Sequence, residues 1–319
     1  MTVVSAIVLG RVAAGSKRRR MHSDTTERAG EAVALDMASR RPVLARQRQN
    51  MILERVREEG AVRVADLVRD LGVSDMTIRR DLEILQGRGL LEKVHGGAAA
   101  IEGSSLFEPG FKVKSTLMQR EKDAIAGYAA GLVTPGTAIA ISAGTTTFAM
   151  ARKLVDCPGI TVLTNSVPVA DVLYKDGRPD QTVILSGGVR TPSDALVGPF
   201  AVDVIRSLHV DTVYLGSHGL DARTGLTTPN ILEAETNRAL IEAGRRFVVL
   251  ADHTKWGTIG ISAVSRLQDA DMVITDVGLD PGARMLISSA VRTLVLVDPV
   301  TGEAEVIEGE SQTSPGRDR

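Results

Sequence analysis

The chain has 319 residues, 43% of them apolar and 24% charged, with a net charge of −1. That is long enough for two domains and apolar enough to bury a sizeable core. The near-neutral total excludes a uniformly basic nucleic-acid binder but hides an asymmetry. Residues 1–39 carry 6 basic and 4 acidic groups, residues 40–97 carry 12 and 9, and residues 98–319 carry 20 and 26. A mildly basic front on an acidic body suits a front that meets a polyanion. The single cysteine, Cys157, excludes an internal disulfide framework and points to a reducing compartment. The five histidines show no metal-ligand spacing with it, so neither a metal nor another cofactor is expected. The apolar run Val3–Gly10 is too short to span a bilayer. Its basic cluster, Lys17–Arg20, follows it, the reverse of a secretory signal, and a cytoplasmic protein is expected.

In chain order, residues 1–42 lack periodicity and read as a disordered extension, with Met21 and Met37 as alternative starts. Residues 43–98 read as one small domain. Ile52 and Val56 lie one turn apart, and Val64, Leu67, Val68 and Leu71 form an apolar stripe at i, i+3, i+4 and i+7. Gly72-Val73 breaks that helix, and Ser74 is a good N-cap for a third over Asp75–Gln86. Leu90–Val94 and His95-Gly96-Gly97 read as a strand entering a tight turn.

Two short helices crossing at a glycine turn, the second one basic, make a helix-turn-helix pattern. At about 100° per residue, Ile78, Leu82 and Leu85 share the docking face, while Met76, Thr77 and Arg80 face the other way. Arg80 suits the paired acceptors of guanine, and Met76 and Thr77 suit thymine and its methyl. Arg79 on the flank suits a phosphate, and Lys93, His95 and Gly96 sit like the tip of a wing.

The run from Val73 through Ser74, Thr77, Arg79 and Arg80 to Leu82, with Gly89-Leu90-Leu91 and Val94–Ala98, resembles the DNA-binding signature of the DeoR family of bacterial regulators. The resemblance implies a winged helix-turn-helix, duplex operator DNA as partner, and an effector-sensing domain behind it.

Residues 99–114 read as a linker, followed by an effector domain over 115–307 and a frayed tail over 308–319. A helix is expected near Ser115, and then β-branched runs at Thr137–Ile141, Thr161–Thr164, Thr182–Leu185, Asp211–Leu215, Phe247–Ala251 and Met272–Thr275. Apolar on both faces and separated by helix-sized segments, they argue a Rossmann-like, doubly wound α/β fold with a parallel sheet. Gly144 followed by Thr145, Thr146 and Thr147 is a strand–glycine turn–helix start, where unpaired N–H groups and the helix dipole favour an anion. Asn165, Gly188 and Gly216 lie at the ends of later strands, where ligands of such sheets settle. Lys255 supplies the one nearby cation, and Thr227-Thr228-Pro229 reads as another helix start.

These elements resemble the DeoR effector domain, similar in fold to ribose-5-phosphate isomerase and glucosamine-6-phosphate deaminase. That resemblance implies a repressor of a sugar-metabolism operon, released by a phosphorylated sugar or related metabolite, with Gly144, Thr145, Thr146, Asn165 and Lys255 at ligand-lining positions. Two positions depart from the family pattern. Ser142 stands where a carboxylate is usual, and Asn237-Arg238 where a lysine is usual, so either the effector is not a simple sugar phosphate or Arg238 replaces the cation. A homo-oligomer, dimer or tetramer, would present paired readers. Two other classes remain open: a sugar-phosphate isomerase or deaminase, and an architectural DNA-binding protein. An isomerase would need a base such as Glu233 or Glu235, but carboxylates on a helix flank are expected to be solvated.

Overall fold

The structure, a computed structural model, describes residues 44–99 and 111–309. The expected extension and tail lie almost wholly outside the described residues.

The front begins with α1 (Ala45–Glu59), β1 (Ala61–Arg63), α2 (Val64–Leu71) and α3 (Asp75–Gly87). The apolar stripe does what its spacing requires: Val64 and Leu67 of α2 are buried with Ile52, Val56, Ile78, Leu82 and Leu85 in one small core. Ser74 caps α3 by accepting from the Thr77 amide, and Gly72 turns the chain at φ +65°. The hairpin β2 (Glu92–Val94) and β3 (Gly97–Ala99) closes through His95-Gly96, and β1 pairs antiparallel with β3. Helices and a three-stranded sheet thus make a winged helix-turn-helix. One buried polar contact ties α3 to α1: Asp81 accepts from Arg48 Nε at 2.5 Å and from Gln49 Nε2 at 2.9 Å.

The chain resumes in α4 (Phe111–Thr116), where the linker was expected to continue, and α5 (Gln119–Gly131) follows. The single helix expected near Ser115 is therefore two, broken at Met118, which sits at φ 50°. Then come β4 (Ala138–Ile141), α6 (Thr145–Lys153), β5 (Thr161–Thr164), α7 (Val167–Asp176) and β6 (Thr182–Leu185). After the short β7 (Val189–Arg190) and β8 (Leu196–Val197) come α8 (Pro199–Arg206) and β9 (Val210–Gly216). The remainder is β10 (Gly219–Asp221), β11 (Gly225–Thr228), α9 (Ile231–Ala243), β12 (Gly244–Leu250), β13 (Ser262–Ser265), β14 (Met272–Asp276), α10 (Pro281–Ala290), β15 (Thr293–Val297) and β16 (Ala304–Glu308).

Eight strands form one sheet in the order β16-β15-β14-β12-β9-β4-β5-β6. All neighbours are parallel except β16, which returns antiparallel on β15. Helices cover the sheet, and its central strands are buried on both faces, which is why they read as unbroken apolar runs. The chain moves outward from β4 through β5 to β6, then returns to place β9 on the other side of β4. That reversal opens a crevice at the carboxyl ends of β4 and β9.

Three further strands, β10, β11 and β13, form an antiparallel sheet. The helix start expected at Thr227-Thr228-Pro229 is displaced by it. Those threonines end β11, and Asn230 caps α9, accepting from Leu232 N and Glu233 N.

The Asp81 contact generates a prediction. Removing one partner of a buried charged cluster leaves the other unpaired, at a cost of about 3 kcal/mol. Asp81→Ala should destabilise the front domain by that amount, measured as a lowered urea midpoint followed by a signal local to α1–α3. An unchanged midpoint would count against the contact.

Candidate functional site

On α3, Met76 is 76% exposed and Arg80 is exposed with no hydrogen bond or ion pair among the described residues. Arg79 is exposed too, but pairs one turn back with Asp75 at 2.5 Å, and that pairing raises its pKa. The Thr77 hydroxyl lies 2.8 Å from that of Ser74, so these two close the helix start on each other. Lys93 reaches Glu83 at 3.0 Å, tying the hairpin to α3, while His95 and Gly96 are exposed at its tip. All eight residues singled out in the sequence thus lie on α3, its cap or the hairpin. Met76 and Arg80 are the two on α3 without a side-chain partner.

Behind it, a cavity of about 290 Å³ opens at the carboxyl ends of β4, β9 and β12. Its floor is the loop Ala143-Gly144 and the first turn of α6. Gly144 adopts φ +155°, and a Cβ there would stand 3.0 Å from Thr147 Oγ1. No side chain caps α6, unlike α7 and α9, whose first amides are taken by Ser166 and Asn230. The first amides of α6 therefore face the cavity uncapped.

Gly144, Thr145, Thr146, Gly216 and Lys255 all line the cavity. Thr147, Asn165 and Gly188 do not, for reasons visible in their bonds. Thr147 is fully buried and donates to the Gly144 carbonyl at 3.0 Å. Asn165 accepts from Ala143 N at 2.9 Å and donates to the Leu196 carbonyl, so it holds the loop rather than a ligand. Gly188 serves packing, since a Cβ would meet the Val197 carbonyl at 2.6 Å. Ser142 is likewise buried and accepts from Gly216 N at 3.0 Å.

Lys255 is not the only cation. Lys114 and Lys122, from α4 and α5, share the lining with it. Lys122 donates to the carbonyls of Lys114 at 2.5 Å and Leu117 at 2.6 Å, which pins the break between the two helices. Burial and the other lysines push its pKa down to about 8, against the pull of Asp252. Burial also lowers Lys255, and Asp252 opposes this. His218 is pushed down to about 4, mostly by burial, then by Lys114 and Lys255. Three lysines and a neutral imidazole thus share one small space.

The acidic wall also differs from expectation. Glu233 is buried, not solvated, and accepts from Thr191 at 2.9 Å, from Ser193, and from Thr228 at 3.4 Å. Glu235 is exposed. Asn237 lines the cavity, whereas Arg238 faces away and donates to the Ala263 carbonyl, so it does not replace the cation there. Lys114 and Lys122 went unread in the sequence, and Glu233 is buried where a solvated flank was expected, because nothing in their local pattern signals a wall assembled from distant segments. His218 and Asp252 sit in strand-end segments that were expected to converge here.

A winged helix-turn-helix ahead of an α/β domain with a polar cavity at its strand ends defines a DNA-binding regulator with a ligand-sensing domain. Residues 48–104 match the DeoR-like helix-turn-helix domain and residues 118–277 the DeoR C terminal sensor domain. The uncharacterized HTH-type transcriptional regulator YgbI of Escherichia coli (strain K12) is 37% identical over 251 residues, 78% of this chain and 97% of that protein. The HTH-type transcriptional regulator GolR of Listeria innocua is 36% identical over 231 residues, 72% of this chain and 90% of that one. The glycerol-3-phosphate regulon repressor of Escherichia coli (strain K12) is 34% identical, with the same two coverages. Among solved structures, ribose 5 phosphate isomerase A from Neisseria gonorrhoeae is similar at 12% identity and a TM-score of 0.35, covering 61% of this chain and 99% of that one. The chain belongs to the DeoR family, and it is a transcriptional regulator rather than an enzyme. No helix among the described residues is long and apolar enough to cross a membrane.

The depressed bases give a pH dependence of defined sign. His218 binds its proton near pH 4 when folded and near 6.5 when unfolded. Between those values the unfolded chain holds more protons, so stability rises with pH across the window. Lys122 does the same between about 8 and 10.5. His218→Asn should flatten the acid-side slope and Lys122→Met the alkaline one, read as unfolding free energy against pH. Slopes identical to wild type would refute the assignments.

Proposed function

We propose that the protein is a repressor that reads operator DNA with α3 and the hairpin tip, and is released by a small phosphorylated metabolite bound in the cavity. The observation that carries this reading is the meeting of uncapped α6 amides with Lys114, Lys122 and Lys255. An anion of two charges answers both features, the amides by geometry and the lysines by charge. Neither Lys122 nor Lys255 forms an ion pair among the described residues, and Lys122 keeps one ammonium N–H beyond the two it gives to carbonyls. The kinship with a glycerol-3-phosphate regulon repressor supports phosphate as the group, and a sugar-metabolism operon as the target.

The reader and the cavity share a mechanical neighbour. Helix α4 supplies Phe111 and Lys114 to the cavity and packs against α1. Phe111 also stacks edge-on against Phe148 of α6, with ring centroids 5.5 Å apart. An anion drawing Lys114 toward the α6 amides would shift α4 and with it the surface on which α1 rests. Linkage then requires operator affinity to differ between bound and free forms, typically by about 1–3 kcal/mol. A dimer or tetramer would place paired readers on half-sites one helical turn or a multiple apart.

Two substitutions separate the functions. Arg80→Ala should weaken specific binding to the protein's own upstream DNA by about 1–3 kcal/mol, leaving ligand binding intact. Lys255→Ala should keep operator affinity and blunt release by phosphorylated metabolites. Fluorescence anisotropy on that fragment and on random duplex, with a panel of sugar phosphates, reads both. No preference for the upstream fragment over random duplex would overturn the reader, and no release by any phosphate would overturn the effector.

A further inference from the structure

We infer that Asp252 is the cavity's hydroxyl acceptor, the residue that distinguishes a hydroxylated phosphate ester from a bare or alkyl phosphate. The inference rests on the phosphate reading and adds the other end of the ligand. Asp252 follows β12, lines the cavity and is 2% exposed. Its Oδ1 accepts from the Thr254 amide at 3.2 Å and from the Thr254 hydroxyl. Its Oδ2 is buried and has no hydrogen-bond partner among the described residues. A buried carboxylate oxygen without a donor costs free energy, so a donor supplied by the ligand is strongly favoured.

The surrounding groups do not meet that need. Lys122 commits its ammonium to two backbone carbonyls, and Lys255 feels the charge of Asp252 without an ion pair to it. Glu233, the other acidic wall residue, is already supplied by Thr191, Ser193 and Thr228. Spare acceptor capacity on the acidic wall is therefore concentrated on Asp252. The dianion of a phosphate monoester has no proton to donate and is repelled by this carboxylate, whereas a hydroxyl donates to it in a charge-assisted bond. Asp252 thus works against one end of the ligand and for the other. A simple structural role would not have that double sign.

The test uses the full chain and isothermal titration with four probes: inorganic phosphate, hexyl phosphate, sorbitol 6-phosphate and sorbitol. The two esters share chain length and phosphate and differ only in hydroxyls. Wild type should bind sorbitol 6-phosphate at least about tenfold more tightly than hexyl phosphate, the worth of one hydrogen bond to a charged group. In Asp252→Asn that ratio should fall to about three or less, while hexyl and inorganic phosphate bind as tightly as before or more so. Asp252→Ala gives the same comparison if the amide variant fails to fold. An undiminished ratio in the variants overturns the inference, as does equal binding of the two esters to wild type. In those outcomes phosphate still binds and the wider reading stands. Absence of binding by inorganic phosphate and both esters brings down the phosphate reading and this inference together.

Discussion

Positive charge crowded into a small, largely buried space is the constraint from which the sensor domain can be understood. Three lysines line one cavity of about 290 Å³, and burial, helped by their mutual repulsion, lowers Lys122 and Lys255 and keeps His218 neutral. A fold that needed only stability would put a capping carboxylate at the α6 start, as Asp280 caps α10. Here that start carries Gly144, which offers no side chain. In the proposed reading the arrangement is costly on its own and becomes favourable when an anion enters, as expected of a preorganised binding site.

What holds that arrangement open is a set of polar side chains turned away from it. Thr147, Asn165 and Ser142 spend their hydrogen bonds on the Gly144 carbonyl, the Ala143 amide and the Gly216 amide. They fix the loop while the first amides of α6 stay uncapped. The β4–β9 reversal then brings Gly216 and His218 beside Gly144 without help from local sequence.

This division explains what could be read in advance. Helix stripes, the Ser74 cap and the Gly144 turn are local, set by residues within a few positions, and periodicity reveals them. Most strands of the main sheet were legible because burial on both faces leaves uninterrupted apolar runs, although β15, equally buried, was not among those expected. The strand β1 is only three residues long, and β16 at the sheet edge is exposed along nearly its whole length, so neither carries a strong pattern. The cavity wall was the least legible part. Glu233 looks like any helix-flank carboxylate until Thr191 and Ser193, some forty residues earlier, are seen to close on it. The hydroxyl residues near Gly144 show the opposite error, since Thr147 looks like a ligand donor and serves as a brace.

In the proposed mechanism, communication with the reader is limited by how α1 is held. On one side α1 grips the recognition helix through Arg48, Gln49 and the buried Asp81. On another it meets α4, the helix that brings Lys114 to the cavity. A ligand can move the DNA-binding equilibrium only by as much as its affinity differs between the two placements of α4. Buried contacts such as Asp81 make the reader move as a unit rather than soften, because breaking them costs more than the coupling itself supplies. Release from DNA then follows from repositioning an intact reader, and an anion contacted by a lysine on α4 is well placed to select among those positions.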